Sequence, residues 1–150
     1  PELYYSEIVE LVSNLGNTYY WSFDFEVPGL ISWVNLSSYF NRIFFNVSPK
    51  IGALYNNEKV FNYNFFKMLP LNFIVKIVVS KNTFNEDLKR INNFMKKYNL
   101  SPKDIYLMPF GTNREQIYTE SQFLIEKCFE LGFNFTPRLH ILIYDNKKLV

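Results

Sequence analysis

The chain has 150 residues, 48% of them hydrophobic and 19% aromatic, which is enough for one domain with a real core and excludes disorder. A formal net charge of +2 is too small to argue for nucleic acid or an acidic membrane surface as partner. Cys128 is the single cysteine, which excludes an internal disulfide framework and a thiolate cluster built from these residues alone.

In chain order, Ile8, Leu11 and Val12 lie at helical spacing and predict a helix over residues 3–15. "TYYWSFDFEVPG" then alternates, with Trp21, Phe23 and Phe25 against Ser22, Asp24 and Glu26, and predicts a strand closed by a Pro-Gly turn. "NRIFFNVSPK" predicts a second strand stopped by Pro49, and residues 58–69 a short helix. "LNFIVKIVVS" is nearly continuous apolar, as in a strand covered on both faces.

Thr83 as N-cap, with Glu86 three residues on, opens a helix whose Leu88, Ile91, Phe94 and Met95 form an apolar stripe. "DIYLMPFG" predicts a fourth strand. Residues 113–131 predict a helix capped by Thr112 or Asn113 and ended by Gly132. "PRLHILIY" predicts the last strand.

Strands and helices alternate with short connections, which predicts an α/β fold with a mostly parallel sheet, forming one domain or part of one. Ligands of such sheets gather at the carboxyl ends of the strands. Those ends are "EVPG", "SPK", "VVSK" and "MPFG". No run approaches the roughly 18 to 20 apolar residues of a membrane-crossing helix, and no signal peptide opens the chain, so a cytoplasmic protein is expected.

Several side chains invite a functional reading beside a plain one. On an extended chain Asn46, Ser48 and Lys50 share a side and could hold a carboxylate or a ribose; the plain reading is a Ser-Pro turn with a solvated lysine. Gly111 would let the backbone approach a ligand closely, or simply serve a loop into the next helix. Lys76, inside an apolar strand, must reach water or a partner such as Asp24 or Glu26. Arg138 and His140 would share one strand face, opposite Leu139, Ile141 and Ile143. That face is either turned to a ligand or a half-exposed edge. Cys128 could pair with His140, but its helical spacing with Leu124 and Leu131 places it in the core. Signatures such as GxGxxG, the P-loop, HExxH, CxxC and GxSxG are missing from the sequence.

Taken in order, "VSPK", "VKIVVS", "IYLMPFG" and "GFNFTPRLHILIY" resemble the C-terminal half of the 7-carboxy-7-deazaguanine synthases. These are radical S-adenosylmethionine lyases of queuosine biosynthesis. The resemblance spans the whole chain, and "SPK" and "TPRLHI" are its most specific parts. Pro1, in place of an initiating Met, would be the last residue of the family's "GGEP" motif, so a piece of a longer protein is expected. Three places differ from the family. Its "ETNG" stands here as "EVPG", its "MPEG" as "MPFG" with Phe110, and its tail "NKRGV" as "NKKLV" with Lys147 and Lys148.

The resemblance implies a partial (β/α) barrel of the radical S-adenosylmethionine type, lacking the N-terminal strands and the cluster loop. It implies S-adenosylmethionine held by Glu26, Ser48, Lys50 and Gly111, and a carboxytetrahydropterin substrate lined by Arg138 and His140. It also implies a [4Fe–4S] cluster bound upstream, assisting Mg²⁺, and a homodimer of the full-length chain. No metal ligand and no catalytic residue within the 150 residues follows from it, and the 150 residues alone are expected to be inactive. The reaction implied is conversion of 6-carboxy-5,6,7,8-tetrahydropterin to 7-carboxy-7-deazaguanine. Two other readings remain open: another radical S-adenosylmethionine activating enzyme, or a non-catalytic α/β domain that holds a nucleotide or a partner.

Overall fold

Runs of β-branched and aromatic residues form the strands, and amphipathic runs form the helices, in a computed structural model that describes residues 5–16, 23–27, 43–51 and 72–147. The helix expected over 58–69, Trp21, the Pro28-Gly29 turn and Lys148 lie outside the described residues. The chain divides into two compact units, Pro1–Pro49 with Lys59–Val75, and Lys50–Glu58 with Lys76–Val150.

The first unit holds helix α1 (Tyr5–Gly16) and strands β1 (Phe23–Val27) and β2 (Ile43–Val47), together with the start of β3 (Asn72–Val79). In α1, Val12 is buried whereas Leu11 is exposed. The sheet order here is β1-β2-β3 and both pairings are parallel, with Glu26 opposite Asn46 and Phe45 opposite Phe73. Phe45 and Val47 are buried, and so is the polar Asn46, whose amide donates to the Asp24 carboxylate. That bond answers the cost of burying an amide.

The second unit holds the rest of β3, helix α2 (Phe84–Tyr98), β4 (Ile105–Pro109), helix α3 (Arg114–Leu131), β5 (Asn134–Phe135) and helix α4 (Leu139–Tyr144). Its sheet order is β3-β4-β5, with β5 parallel to β4. Along β3, Val75, Ile77 and Val79 are fully buried while Ile74, Lys76 and Val78 are half-buried. One face is therefore core and the other partly covered. Ile105, Leu107 and Pro109 repeat this alternation in β4.

Helix α2 buries Phe84, Ile91, Phe94, Met95 and Tyr98 along one stripe. It carries Glu86 and Asp87 in its first turn and Lys96 and Lys97 in its last, the arrangement the helix dipole favours. Thr83 occupies the N-cap position as expected, but its hydroxyl donates to the Asp87 carboxylate at 2.8 Å instead of capping a backbone N–H. In α3, Asn113 caps the N-terminus by accepting from the Gln116 N–H at 2.9 Å. Gly132 ends the helix in the left-handed region at φ 74°, as expected of a C-terminal glycine.

The expected strand over 137–144 is overturned. The last strand is only Asn134–Phe135, and Leu139–Tyr144 is helical. The cause lies in its neighbour. Asn134 pairs with Tyr106 and Phe135 with Leu107, and the Thr136 N–H still reaches the Leu107 carbonyl at 3.0 Å. The next rung of a parallel ladder needs an amide hydrogen from Pro109, which has none. Beyond that point the chain turns at Pro137 and packs α4 on α3, burying Ile141.

Candidate functional site

The ends of β3 and β4 are joined where a ligand of a parallel sheet is expected. The Phe110 N–H donates to the Val79 carbonyl at 2.9 Å, which brings "VVSK" and "MPFG" side by side. Between them and the first turns of α3 lies a cleft of about 560 Å³. Ser80, Thr83, Phe110, Gln116, Thr119 and Glu120 are among the residues that line it.

Glu120 belongs to its polar wall, and the buried Asp87 lies behind it. Glu120 accepts from the Lys81 N–H at 2.6 Å and from the Ser80 hydroxyl at 3.4 Å. Asp87, fully buried, accepts from the Thr83 hydroxyl and, at 3.5 Å, from the Ser80 N–H. The turn over 80–83 is thus tied to both α2 and α3. Phe110 is 41% exposed and supplies an apolar face to the cleft. On the opposite side, the Gln116 side-chain carbonyl accepts from the Thr112 N–H at 2.9 Å and holds the loop after β4.

Gly111 is buried in that loop, and its lack of a side chain is required by space. A Cβ there would stand 2.9 Å from the Ile117 Cδ1, 3.1 Å from the Gln116 Cβ and 3.2 Å from the Ile117 backbone nitrogen. The guanidinium of Arg138 donates to the Gly111 carbonyl at 2.8 Å. Two residues singled out for different partners therefore meet each other. Comparison with protein families, curated proteins and solved structures finds no match for this chain.

The remaining candidates stand apart from that pair. Arg138 and His140 do not share a strand face, because Arg138 is at the N-cap position of α4 and His140, exposed, is in its first turn. Glu26 is exposed near the end of β1, opposite Asn46. Ser48 and Lys50, both half-buried, follow β2, and the division between the two units falls between them.

Burial pushes the Cys128 thiol up to about 11, and its Sγ lies 3.5 Å from the Asn134 carbonyl oxygen. It is a core residue and no nucleophile at neutral pH. Among the described residues no group of three His, Cys, Asp or Glu side chains could hold a metal ion, and no helix is long and apolar enough to cross a membrane.

Ser80, Gln116, Thr119 and Glu120 were not singled out from the sequence. A signal was available: Gln116 and Glu120 are four residues apart on the helix that follows "MPFG", and so share the face above the end of β4.

Proposed function

We propose that the chain is the C-terminal part of a radical S-adenosylmethionine enzyme of the 7-carboxy-7-deazaguanine synthase type, with a (β/α) barrel completed by strands outside these residues. The observation that supports this reading is the cleft at the joined ends of β3 and β4. It coincides with "MPFG", one of the segments that the family resemblance assigns to S-adenosylmethionine. Its volume of about 560 Å³ suits a nucleoside-sized ligand. Strands that neighbour one another in chain order, with α2 connecting β3 to β4 and α3 connecting β4 to β5, are also what a barrel of this kind requires.

The lining fits such a ligand. Glu120 and the Thr119 side chain offer acceptors to ribose hydroxyls or an amino group, the Gln116 amide offers N–H donors, and Phe110 offers a ring for a base to stack on. His140 would face the pterin. S-adenosylmethionine supplies, when bound to a reduced cluster, the radical that starts the ring contraction. The chain's own part is to bind, orient and exclude water. The cluster itself does not fit these residues. Cys128 is the single cysteine of the sequence, and it is buried with a raised pKa. Its three thiolates have to come from outside the 150 residues.

The test is turnover by the full-length protein, reconstituted without oxygen and given S-adenosylmethionine and 6-carboxy-5,6,7,8-tetrahydropterin. The expected product is 7-carboxy-7-deazaguanine with 5′-deoxyadenosine. A reconstituted protein that forms neither overturns the proposal.

A further inference from the structure

We infer that Arg138 is a positioning residue for the cleft, acting through the Gly111 carbonyl, and not a ligand of the substrate; the inference rests on the reading of the cleft as the S-adenosylmethionine site. The loop from Phe110 to Thr112 is held at three points. Phe110 donates to Val79. Thr112 donates to Gln116. Between them, Gly111 is pressed against Ile117 and its carbonyl accepts from the Arg138 guanidinium.

Two of these points belong to the sheet and to α3. The third comes from the segment that enters α4, 27 residues further along the chain. A charge-assisted hydrogen bond to a carbonyl is short and directional, so it fixes the peptide plane between Gly111 and Thr112. That plane lies one residue beyond Phe110, which forms the apolar wall of the cleft, and borders Thr112, which is held by Gln116. Gly111 has no side chain of its own to restrict its backbone, so this third tie adds to the two on either side in keeping the wall in one place.

The test uses the full-length enzyme with Arg138→Ala and Arg138→Lys. Affinity for S-adenosylmethionine, KM for carboxytetrahydropterin, and backbone amide exchange over residues 110–113 are measured together. In Arg138→Ala, S-adenosylmethionine affinity is expected to fall by roughly tenfold, as for one lost charge-assisted hydrogen bond. The pterin KM stays unchanged, and the amides over 110–113 exchange faster. Arg138→Lys keeps one donor for the same carbonyl and recovers most of the affinity. A raised pterin KM with intact S-adenosylmethionine affinity and unchanged amide exchange overturns the inference and returns Arg138 to the substrate. A wild-type enzyme that binds no S-adenosylmethionine overturns the reading of the cleft instead. Amide exchange in the two variants then decides the positioning role by itself.

Discussion

Arg114 and Asp145 tie helices α3 and α4 together in both directions. The Asp145 carboxylate accepts from the Arg114 backbone N–H at 2.8 Å, at the start of α3. The Arg114 side chain donates to the carbonyls of Leu142 and Ile143, at the end of α4, at 2.8 and 3.0 Å. An anion thus meets free N–H groups and a cation meets free carbonyls, which is what each helix end lacks. Asp145→Ala is expected to destabilise the fold by about 1 kcal/mol, as for a lost cap. Asp145 also sits at φ 58° and ψ −135°, a backbone region that suits glycine. Asp145→Gly should therefore be the milder of the two, by up to about 1 kcal/mol. Urea midpoints of the two variants check both the cost and the order.

Gly111→Ala should destabilise by about 1 to 3 kcal/mol, the usual cost of overpacking. The Ile117 side chain in the way is fully buried, and the backbone nitrogen behind it cannot give. A midpoint equal to wild type would show that the loop yields more easily than this packing implies.

Asp87 and Thr83 should differ in cost although they share a hydrogen bond. Asp87 is fully buried and also accepts from the Ser80 N–H, so Asp87→Ala strands polar groups and should cost about 2 kcal/mol. Thr83 is half-buried, and Thr83→Val should cost about 1 kcal/mol. The reverse order in denaturant unfolding would contradict this account of the turn over 80–83.

Cys128 should resist alkylation by a thiol reagent at pH 8 in the folded chain and react once urea unfolds it. Its pKa is raised to about 11 by burial, so the folded state disfavours the thiolate. The sign follows from this. The contribution to stability is fully present below the ordinary thiol pKa of 9.0 and is lost as pH rises through about 11. Removing the thiol with Cys128→Ala should flatten the fall in stability over that window, read as the urea midpoint against pH.

Helix α3 offers a control on neighbouring residues. Leu124→Ala should cost about 2 to 5 kcal/mol, because the side chain is 2% exposed and would leave a cavity. Ile125, next to it, is 50% exposed, and Phe129 is 92% exposed, so Phe129→Ser should change stability by no more than about 0.5 kcal/mol. Thermal unfolding of the two variants compares them directly.

Same-helix spacing explains why such a pair is hard to read from sequence. Ile117, Leu124 and Cys128 form the buried stripe of α3, while Tyr118, Ile125 and Phe129 repeat the same spacing one residue later and are exposed. Both stripes satisfy helical periodicity, so hydropathy alone does not choose between them. Burial is decided by which side meets β4 and β5.

The sequence by itself determined the elements whose signals are local. The existence of β3 and β4, the stripe of α2, the cap at Asn113 and the stop at Gly132 each follow from neighbours a few residues apart, whereas the half-covered second face of β3, expected to be fully covered, does not. It also pointed to the carboxyl ends of four strands, those of β3 and β4 among them, as places where ligands of a parallel sheet gather. Tertiary structure decided what depended on a distant partner. Residues 139–144 have the β-branched content of a strand, yet Pro109, on another strand, withholds the hydrogen bond that would extend the ladder. Arg138 was expected on a strand face beside His140, turned to a ligand, and it stands instead at the start of α4. That its partner is the carbonyl of Gly111, across the loop after β4, became visible only when the chain was folded.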